Sequence, residues 1–540
     1  MSEAEAVLQP LPSSAGLLDK KMAKSHAAVS GVVVIIALVV GLAFIGYSIL
    51  RDFSGVTLGS AWPYVLLVFA LFIALGFEFV NGFHDTANAV ATVIYTHSME
   101  PNLAVVWSGL WNLAGVLVSS GTVAFAVITL LPVELILQVS SGAGFAMVFA
   151  LLLAAILWNL GTWWFGLPAS SSHTMVGSII GVGVANQIMS VHSGTSGVDW
   201  DQAAKVFKVL LVSPLVGFGG AFLLFLLSKW FLRFPKLYEA PKGNAPPPWP
   251  IRGLLVLTCT GVSFFHGSND GQKGMGLIML ILIGTVPTAY ALNHAVPQRD
   301  VQAFVTASQQ VQGILNEHAN QNGIVGSDPR AEVTSYISSK QLQPDTLMAL
   351  RGMVGDLGNE VALYKDFKNV PSKDQTNVRN DMYVASEAIR LMLKDKNPSF
   401  TPAETKVLSN YKIQVDKATK FIPTWVKVAV ALALGMGTMV GWKRIVVTVG
   451  EKIGKTHLTY AQGACAELVA MGTIFAADNF GLPVSTTHVL SSGVAGTMAA
   501  NHSGLQWSTL RNIAAAWVFT LPVAAVLSGG LYFLFRQISH

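Results

Sequence analysis

Long apolar runs alternate with short polar stretches along most of the chain. Most of the runs are close to the roughly 20 residues that a helix needs to cross a bilayer. Eleven runs are present, near 29–50, 61–97, 103–130, 143–165, 172–190, 207–232, 251–293, 422–441, 462–480, 484–500 and 512–535. The composition agrees, since 52% of the residues are hydrophobic and 12% are charged, with a mean hydropathy of +0.53. The pattern predicts an all-α polytopic membrane protein.

One long polar stretch interrupts this pattern. Residues 294–420 contain 15 Lys and Arg against 14 Asp and Glu, and they show helical periodicity near 299–316, 343–368, 375–395 and 402–418. Balanced charge argues against a nucleic-acid-binding arm, and no nucleic-acid partner is expected. The stretch is interpreted as a small soluble helical insert.

Two short motifs each occur twice. The first is Gly-Phe-His-Asp at 82–85 and Gly-Ser-Asn-Asp at 267–270, and the second is Gly-Leu-Pro followed by hydroxyl residues and His. Aligned without gaps, residues 166–186 and 481–501 share 8 of 21 positions. The motifs are 83 residues apart in the first copy and 213 in the second, and the insert accounts for 127 of these. The chain is therefore a duplication with an insertion in its second half.

Basic residues in short loops predict the orientation of the two copies. Lysines and arginines concentrate before residue 29, after 228 and after 441. All three positions are cytoplasmic if 251–293 crosses the membrane once, which places the insert outside and inverts the second copy relative to the first. Inverted repeats are typical of secondary transporters, whose broken helices meet at a substrate site near the midplane. The runs at 61–97 and 251–293 are too long for one straight span and carry glycines at their centre, so each is predicted to be a broken helix. Each Gly-Leu-Pro sequence, with its proline and hydroxyl residues, is predicted to form a re-entrant hairpin, with two full spans as the alternative.

These observations divide the chain into seven segments. They are a cytoplasmic tail at 1–28, an extra first span and loop at 29–60, membrane repeat 1 at 61–232, a basic cytoplasmic linker at 233–250, the first part of membrane repeat 2 at 251–293, the extracytoplasmic insert at 294–420 and the second part of repeat 2 at 421–540.

Ionisable residues inside apolar runs cost about 2.5–3.5 kcal/mol each on insertion scales, so they indicate function. Asp85 and Asp270 recur at equivalent positions and are predicted to bind a coupling cation, with His84 as an adjacent proton site. Glu78 lies seven residues before Asp85 and is a further titrating candidate or a pore-lining group. The alternative is that these residues only brace helices or lie in a water-filled loop.

Polar neighbours of the two aspartates complete this candidate site. Asn88, Asn269 and Gln272 offer amide groups, and Lys273 offers a positive charge. The hydroxyls beside the Gly-Leu-Pro sequences could enclose an oxyanion at helix N-termini, where unpaired amides favour negative charge. They belong to Ser170, Ser171, Ser172, Ser485, Thr486 and Thr487. Ordinary helix capping is the alternative for these six residues.

The strings Asn-Gly-Phe-His-Asp-Thr-Ala-Asn-Ala at 81–89 and His-Gly-Ser-Asn-Asp-Gly-Gln-Lys-Gly at 266–274 closely resemble the duplicated signature of the PiT family of inorganic phosphate transporters. Gly-Leu-Pro-Val-Ser-Thr-Thr-His at 481–488 is similar to the same family's pattern. The resemblance covers nearly all of 61–535. It implies a multi-pass transporter of the bacterial inner membrane, surrounded by lipid, that binds inorganic phosphate at the hydroxyl-bearing tips and at the Asp and Asn positions of the signature.

Many members of the family have Asn at the position of His84, and the variant with His resembles the bacterial low-affinity type. That resemblance implies proton-coupled uptake of phosphate, often as a neutral divalent metal–phosphate complex, with no permanently bound cofactor. Sodium coupling stays open because Asn269 precedes Asp270. The sequence leaves open which residues hold a metal ion and whether the protein is a homodimer.

Three other functions share some of these features. A sulfate or sodium-coupled phosphate permease would have the same fold, and an ion channel would need a continuous pore. A membrane-embedded enzyme would need a nucleophile, but Ser170 and His173 lie on one turn with no third orienting group evident. No catalytic residues are therefore assigned.

Overall fold

The computed structural model describes residues 27–53, 62–85, 87–131, 136–137, 141–189, 198–319 and 328–538. Regular structure in these ranges is helical, apart from one isolated β-bridge between Gly454 and Leu505. The prediction of an all-α protein is confirmed. The predicted cytoplasmic tail at 1–28 falls almost wholly outside the described residues.

The described ranges contain twenty α-helices, numbered here in chain order. They are α1 Ala27–Asp52, α2 Trp62–Asp85, α3 Ala87–Tyr95, α4 Pro101–Val118, α5 Thr122–Ile128, α6 Gly142–Trp164, α7 Ser171–Met189, α8 Trp200–Phe231, α9 Trp249–Thr285, α10 Pro287–Tyr290, α11 Gln298–His318, α12 Pro329–Ser339, α13 Thr346–Tyr364, α14 Gln375–Asp395, α15 Pro402–Thr419, α16 Thr424–Met439, α17 Lys443–Glu451, α18 Tyr460–Asn479, α19 Thr486–Ala500 and α20 Trp507–Ile538.

Six stretches in the described residues are long and apolar enough to cross a bilayer, or seven if the bent pair α15 and α16 counts as one span. They are Val34–Asp52, Tyr64–Tyr95, Pro101–Val118, Gly142–Trp164, Trp200–Phe231 and Trp507–Ile538. Large apolar side chains project outward from these helices, such as Phe72 on α2, Leu215 on α8 and Val526 on α20. An apolar outer surface is what lipid requires, and the polytopic membrane class is confirmed.

The two copies have equivalent helices. The first copy contains α2 to α8, and the second contains α9 and then α16 to α20. Each ends in a 32-residue helix with a proline inside, Pro214 in α8 and Pro522 in α20. In each, a Gly-Leu-Pro turn joins two helices to form a hairpin: α6 and α7 form the first hairpin, and α18 and α19 form the second. The glycine of the turn has a positive φ, 66° at Gly166 and 63° at Gly481.

The two copies pack against each other reciprocally, because equivalent helices of the two copies make equivalent contacts. Helix α9 packs along α4 as α2 packs along α16, and α19 packs along α8 as α7 packs along α20. Each hairpin therefore lies against the terminal helix of the other copy rather than its own. This reciprocal arrangement brings the two motif regions together in the middle of the protein.

The motif helix of the second copy corrects one prediction, because α9 is not broken at its motif. It runs for 37 residues from Trp249 to Thr285, straight through Asp270. Its glycines serve close packing instead, since a Cβ added at Gly267 would lie 2.1 Å from the carbonyl oxygen of Asn112 on α4. In the first copy α2 ends at Asp85 and α3 begins at Ala87, and the intervening Thr86 lies outside the described residues.

The insert forms a helical bundle with its own core. Helices α11, α13, α14 and α15 match the four predicted helical regions, and they surround buried residues such as Phe304, Met382 and Tyr411. Helix α12 was missed, although Asp328 and Pro329 offer the typical N-cap and first-turn signals. The boundaries of the segments and the location of the insert outside the cell stay predictions.

The start of α8 holds the insert in place through ion pairs. Asp201 pairs with Lys340 and Lys394, both at 2.8 Å, and Asp199 pairs with Arg390 at 3.2 Å. The insert therefore sits directly over one end of the helical bundle.

Candidate functional site

The aspartates of the two copies meet in the interior. One ligand atom from each of Asp85, His266 and Asp270 lies within 4.8 Å of the other two. All three residues are at most 3% exposed. Asp85 is the last residue of α2 and Asp270 is midway along α9, so the crossing of these helices creates the cluster. The sequence predicted that the two aspartates act together, and the structure places them together.

Asp85 belongs to a hydrogen-bonded chain that reaches both hairpins. His84 Nδ1 lies 3.0 Å from Asp85 Oδ1, and Thr487 Oγ1 donates to the same oxygen at 2.8 Å. The other ring nitrogen of His84 lies 3.0 Å from Thr162 Oγ1. The Thr162 hydroxyl also lies within hydrogen-bonding distance of two backbone carbonyls of α6. Each ring nitrogen of His84 therefore faces a polar side chain, the carboxylate of Asp85 on one side and the hydroxyl of Thr162 on the other.

Asp270 has a different basic partner. Lys273 Nζ lies 2.7 Å from Asp270 Oδ1, and both side chains are at most 1% exposed. The same ammonium donates to Ser172 Oγ at 2.5 Å, and Ser172 donates to the backbone carbonyl of Val484 at 2.8 Å. Lys273 therefore connects the motif of the second copy to the tips of both hairpins. Its counterpart in the first copy is Asn88, whose side chain lies outside the described residues.

The hydroxyls at the hairpin tips divide into capping and site-facing groups. Ser170 Oγ accepts from the backbone N–H of His173 and Ser485 Oγ accepts from that of His488, which is the capping role weighed as the alternative. Ser171 accepts from Asn159 at 3.2 Å. Thr486 Oγ1 is buried and has no hydrogen-bond partner among the residues that the structure describes. Because buried polar groups normally form hydrogen bonds, this hydroxyl is available to donate to a bound anion.

The two predicted amide residues of α9 hold the second hairpin in this structure. Asn269 Nδ2 donates to the carbonyl of Leu482 at 3.2 Å. Gln272 Oε1 accepts from the backbone N–H of Val123, and its Nε2 donates to Asp478 at 2.6 Å. Both amides are engaged with protein groups, so their predicted role in binding the substrate remains a prediction.

Glu78 is completely buried, about two turns of α2 before Asp85. Its Oε2 accepts from Asn81 at 3.4 Å, while Oε1 has no hydrogen-bond partner in the described part of the chain. The carboxyl group lies against Gly274, where an added Cβ would be 2.2 Å from Oε1. Glu78 therefore touches the helix of the second motif, beside Asp270 and Lys273.

Sequence reasoning missed two members of this region. His266 is one helical turn before Asp270, which is a readable signal, and its Nδ1 lies 2.6 Å from Asn112 Oδ1. Its Nε2 is 3.6 Å from Asp270 and has no hydrogen-bond partner within the described ranges. The second is Asp478, which accepts hydrogen bonds from Ser268 and Gln272 beside the motif.

The histidines of the two hairpins lie in contact with each other. The ring centroids of His173 and His488 are 4.4 Å apart, and His488 also stacks on Trp517 at 4.1 Å. The two tips meet head to head, so these rings hold the copies together at the centre.

The cluster of Asp85, His266 and Asp270 offers two carboxylates and one imidazole. Imidazole and carboxylate are both ligands of divalent transition metals. The free Nε2 of His266 beside Asp270 fits such an ion. The cluster can therefore bind either protons or a divalent cation next to the hairpin tips.

Residues 81–528 match the model of the phosphate transporter family. The chain is 42% identical to the low-affinity inorganic phosphate transporter PitA of Escherichia coli K12, covering 90% of this chain and 99% of PitA. It is 40% identical to PitB of the same strain, covering 88% and 97% of the two chains. Among solved structures, a sodium-dependent phosphate transporter aligns over 88% of this chain and 100% of its own, with a TM-score of 0.47 and 19% identity.

Proposed function

Since this chain belongs to the phosphate transporter family and is a phosphate transporter, not an enzyme, we propose that it imports inorganic phosphate by proton symport across the bacterial inner membrane. A divalent cation accompanies the phosphate. The observation on which this proposal depends is the buried cluster in which Asp85 and Asp270 face each other, each beside its own basic residue.

The charge of the cluster supports cation coupling. With one proton shared by Asp85 and His84, this pair is neutral, and so is the pair Asp270–Lys273. A doubly charged phosphate entering this interior would be uncompensated, and burying an unpaired ion costs several kcal/mol. Moving a net negative charge into the cell also costs about 2.3 kcal/mol per charge per 100 mV. Positive charges must therefore travel with the anion.

The two basic partners differ in their ability to release a proton. Histidine titrates near neutrality, whereas lysine normally remains charged. The proton shared by His84 and Asp85 is thus the exchangeable one, while Lys273 is a fixed charge. A divalent cation at Asp85, His266 and Asp270 would supply the remaining compensation and bind phosphate oxygens at the same time.

Uptake of labelled phosphate into proteoliposomes tests this function. An inward proton gradient is expected to drive accumulation that a protonophore abolishes, and replacing Na⁺ by choline is expected to change nothing. Adding Mn²⁺ should stimulate uptake, and a chelator should reduce it. Accumulation that requires Na⁺ and persists without a proton gradient would overturn proton coupling, and preferential uptake of sulfate would overturn the substrate.

The hydroxyls of Ser171 and Thr486 are predicted to bind the phosphate. A hydrogen bond to a charged group contributes about 1.5–3 kcal/mol, so alanine at either position should raise the half-saturating phosphate concentration roughly ten- to hundred-fold. Thr486→Ser keeps a hydroxyl and should restore near-normal affinity. An unchanged affinity in the variant with alanine at both positions would show that these hydroxyls serve only the hairpins.

The insert is predicted to lie outside the cell. Both native cysteines, Cys259 and Cys465, are buried, so an impermeant maleimide reports on an introduced cysteine alone. Ser339→Cys on the exposed end of α12 should react in intact spheroplasts, whereas Asn244→Cys in the basic linker should react only after lysis. The reverse pattern would invert the whole topology.

A further inference from the structure

An open cleft of about 610 Å³, called the chamber below, lies between the insert and the membrane helices. Its walls come from the start of α5, the start of α8 and the end of α15, and its floor is the tip of the second hairpin at 479–482. The insert therefore contributes one wall of a chamber that ends on a Gly-Leu-Pro turn.

The floor of this chamber separates it narrowly from the buried site. Leu482 lines the cavity, and its backbone carbonyl accepts the hydrogen bond of Asn269, the residue next to Asp270. Asn479 also lines the cavity, and the preceding Asp478 bonds Ser268 and Gln272. One turn of chain thus separates the chamber from the motif of the second copy.

The ionisable residues that line the chamber are mainly basic. Lys205, Lys417 and Lys420 line it together with a single carboxylate, that of Asp416. Asp416 is shared by Lys412 and Lys420, and Lys417 pairs with Asp300 at 3.2 Å.

Lys205 makes no ion pair within the described residues. The nearby Asp199 and Asp201 at the start of α8 are already neutralised by three basic residues of the insert. An excess of positive charge therefore remains at the chamber.

We propose that this chamber is an outer collecting site for the transported oxyanion, and that the insert is present to complete it. The inference rests on the proposed import of phosphate and on the external location of the insert. Lysines from α8 and α15 raise the local concentration of phosphate at the tip of the second hairpin, where a concave basic surface attracts anions from solution. The insert thereby acquires a function in transport.

Charged thiol reagents test the electrostatic potential inside the chamber without any measurement of uptake. Ile413→Cys places the thiol on the chamber wall, and Leu363→Cys places it on an exposed insert surface away from the chamber. An anionic methanethiosulfonate should react faster than a cationic one at position 413, by a ratio several times larger than at 363. Phosphate should slow the reaction only at 413, and Lys205→Gln should reduce the ratio there.

Transport kinetics give a second, independent measurement. Lys205→Gln should raise KM for phosphate roughly threefold at low ionic strength, as expected for one unit charge about 7 Å away in water. The value of kcat should stay unchanged, and the effect should vanish in high salt. Lys208→Gln is the matched control, because Lys208 is exposed on the same helix but does not line the chamber.

The outcomes separate this inference from the proposed function. Equal reagent ratios at 413 and 363, with no protection by phosphate, would overturn the collecting site even if phosphate uptake is confirmed. An equal KM in the Lys205 and Lys208 variants would do the same. Absence of uptake by the wild-type protein would overturn the proposed function, whereas a charge-selective reaction at 413 would still stand as a property of the chamber.

Discussion

Asp85→Asn is expected to abolish the accumulation of phosphate driven by a proton gradient. The amide cannot hold the proton that Asp85 Oδ1 shares with His84 Nδ1, and it weakens the acceptor of Thr487. Each positive charge that no longer accompanies the anion costs about 2.3 kcal/mol at 100 mV, which lowers the limiting accumulation ratio roughly fifty-fold. Asp270→Asn is expected to have the same effect, since it removes the other carboxylate of the cluster.

Exchange of phosphate across the membrane provides the control for these two variants. Preloaded vesicles exchange labelled for unlabelled phosphate without a driving gradient, so binding and alternation can survive when coupling is lost. His84→Asn should also abolish the response to the pH gradient, because Asn keeps the size of the polar group but cannot be protonated. Full driven accumulation by both Asp→Asn variants would exclude these carboxylates as the coupling groups.

Much of the architecture could be predicted because it depends on local patterns. The Gly-Leu-Pro turns, the apolar runs and four of the five insert helices follow from periodicity and turn chemistry within a few residues. The continuous helix α9 could not be predicted in this way. Glycines permit both a broken helix and close packing, and only the position of α4 against Gly267 decides between them.

The aspartates of the site were predictable, but most of their partners were not. Duplication identified Asp85 and Asp270 as equivalent, whereas nothing in the spacing indicates that Thr487 of the second hairpin bonds the aspartate of the first copy. Such exchanges follow from the way α7 and α19 pack against the helices of the opposite copy. His266 could have been predicted more easily, because a histidine four residues before an aspartate lies on the same helix face.

Lys273→Met is expected to destabilise the protein by about 3–5 kcal/mol, because it leaves Asp270 charged and buried without its ion-pair partner. It also removes the donor to Ser172 and so loosens the contact between α9 and the first hairpin. Thermal unfolding in detergent, followed by the loss of the monodisperse peak, measures the effect. Lys427→Met is the matched control, since the half-buried Lys427 donates to the backbone carbonyl of Ser119 and makes no ion pair among the residues that the structure describes.

The double variant Asp270→Asn/Lys273→Met separates the structural part of this pair from its part in transport. Removing both charges eliminates the unpaired carboxylate, so most of the lost thermal stability should return. Driven accumulation should nevertheless stay absent, because the cluster then lacks a carboxylate that the coupling cation requires. If Lys273→Met alone melted no earlier than Lys427→Met, the buried ion pair would not hold this region together. If the double variant accumulated phosphate normally, the pair would serve the fold alone and coupling would reside entirely in Asp85 and His84.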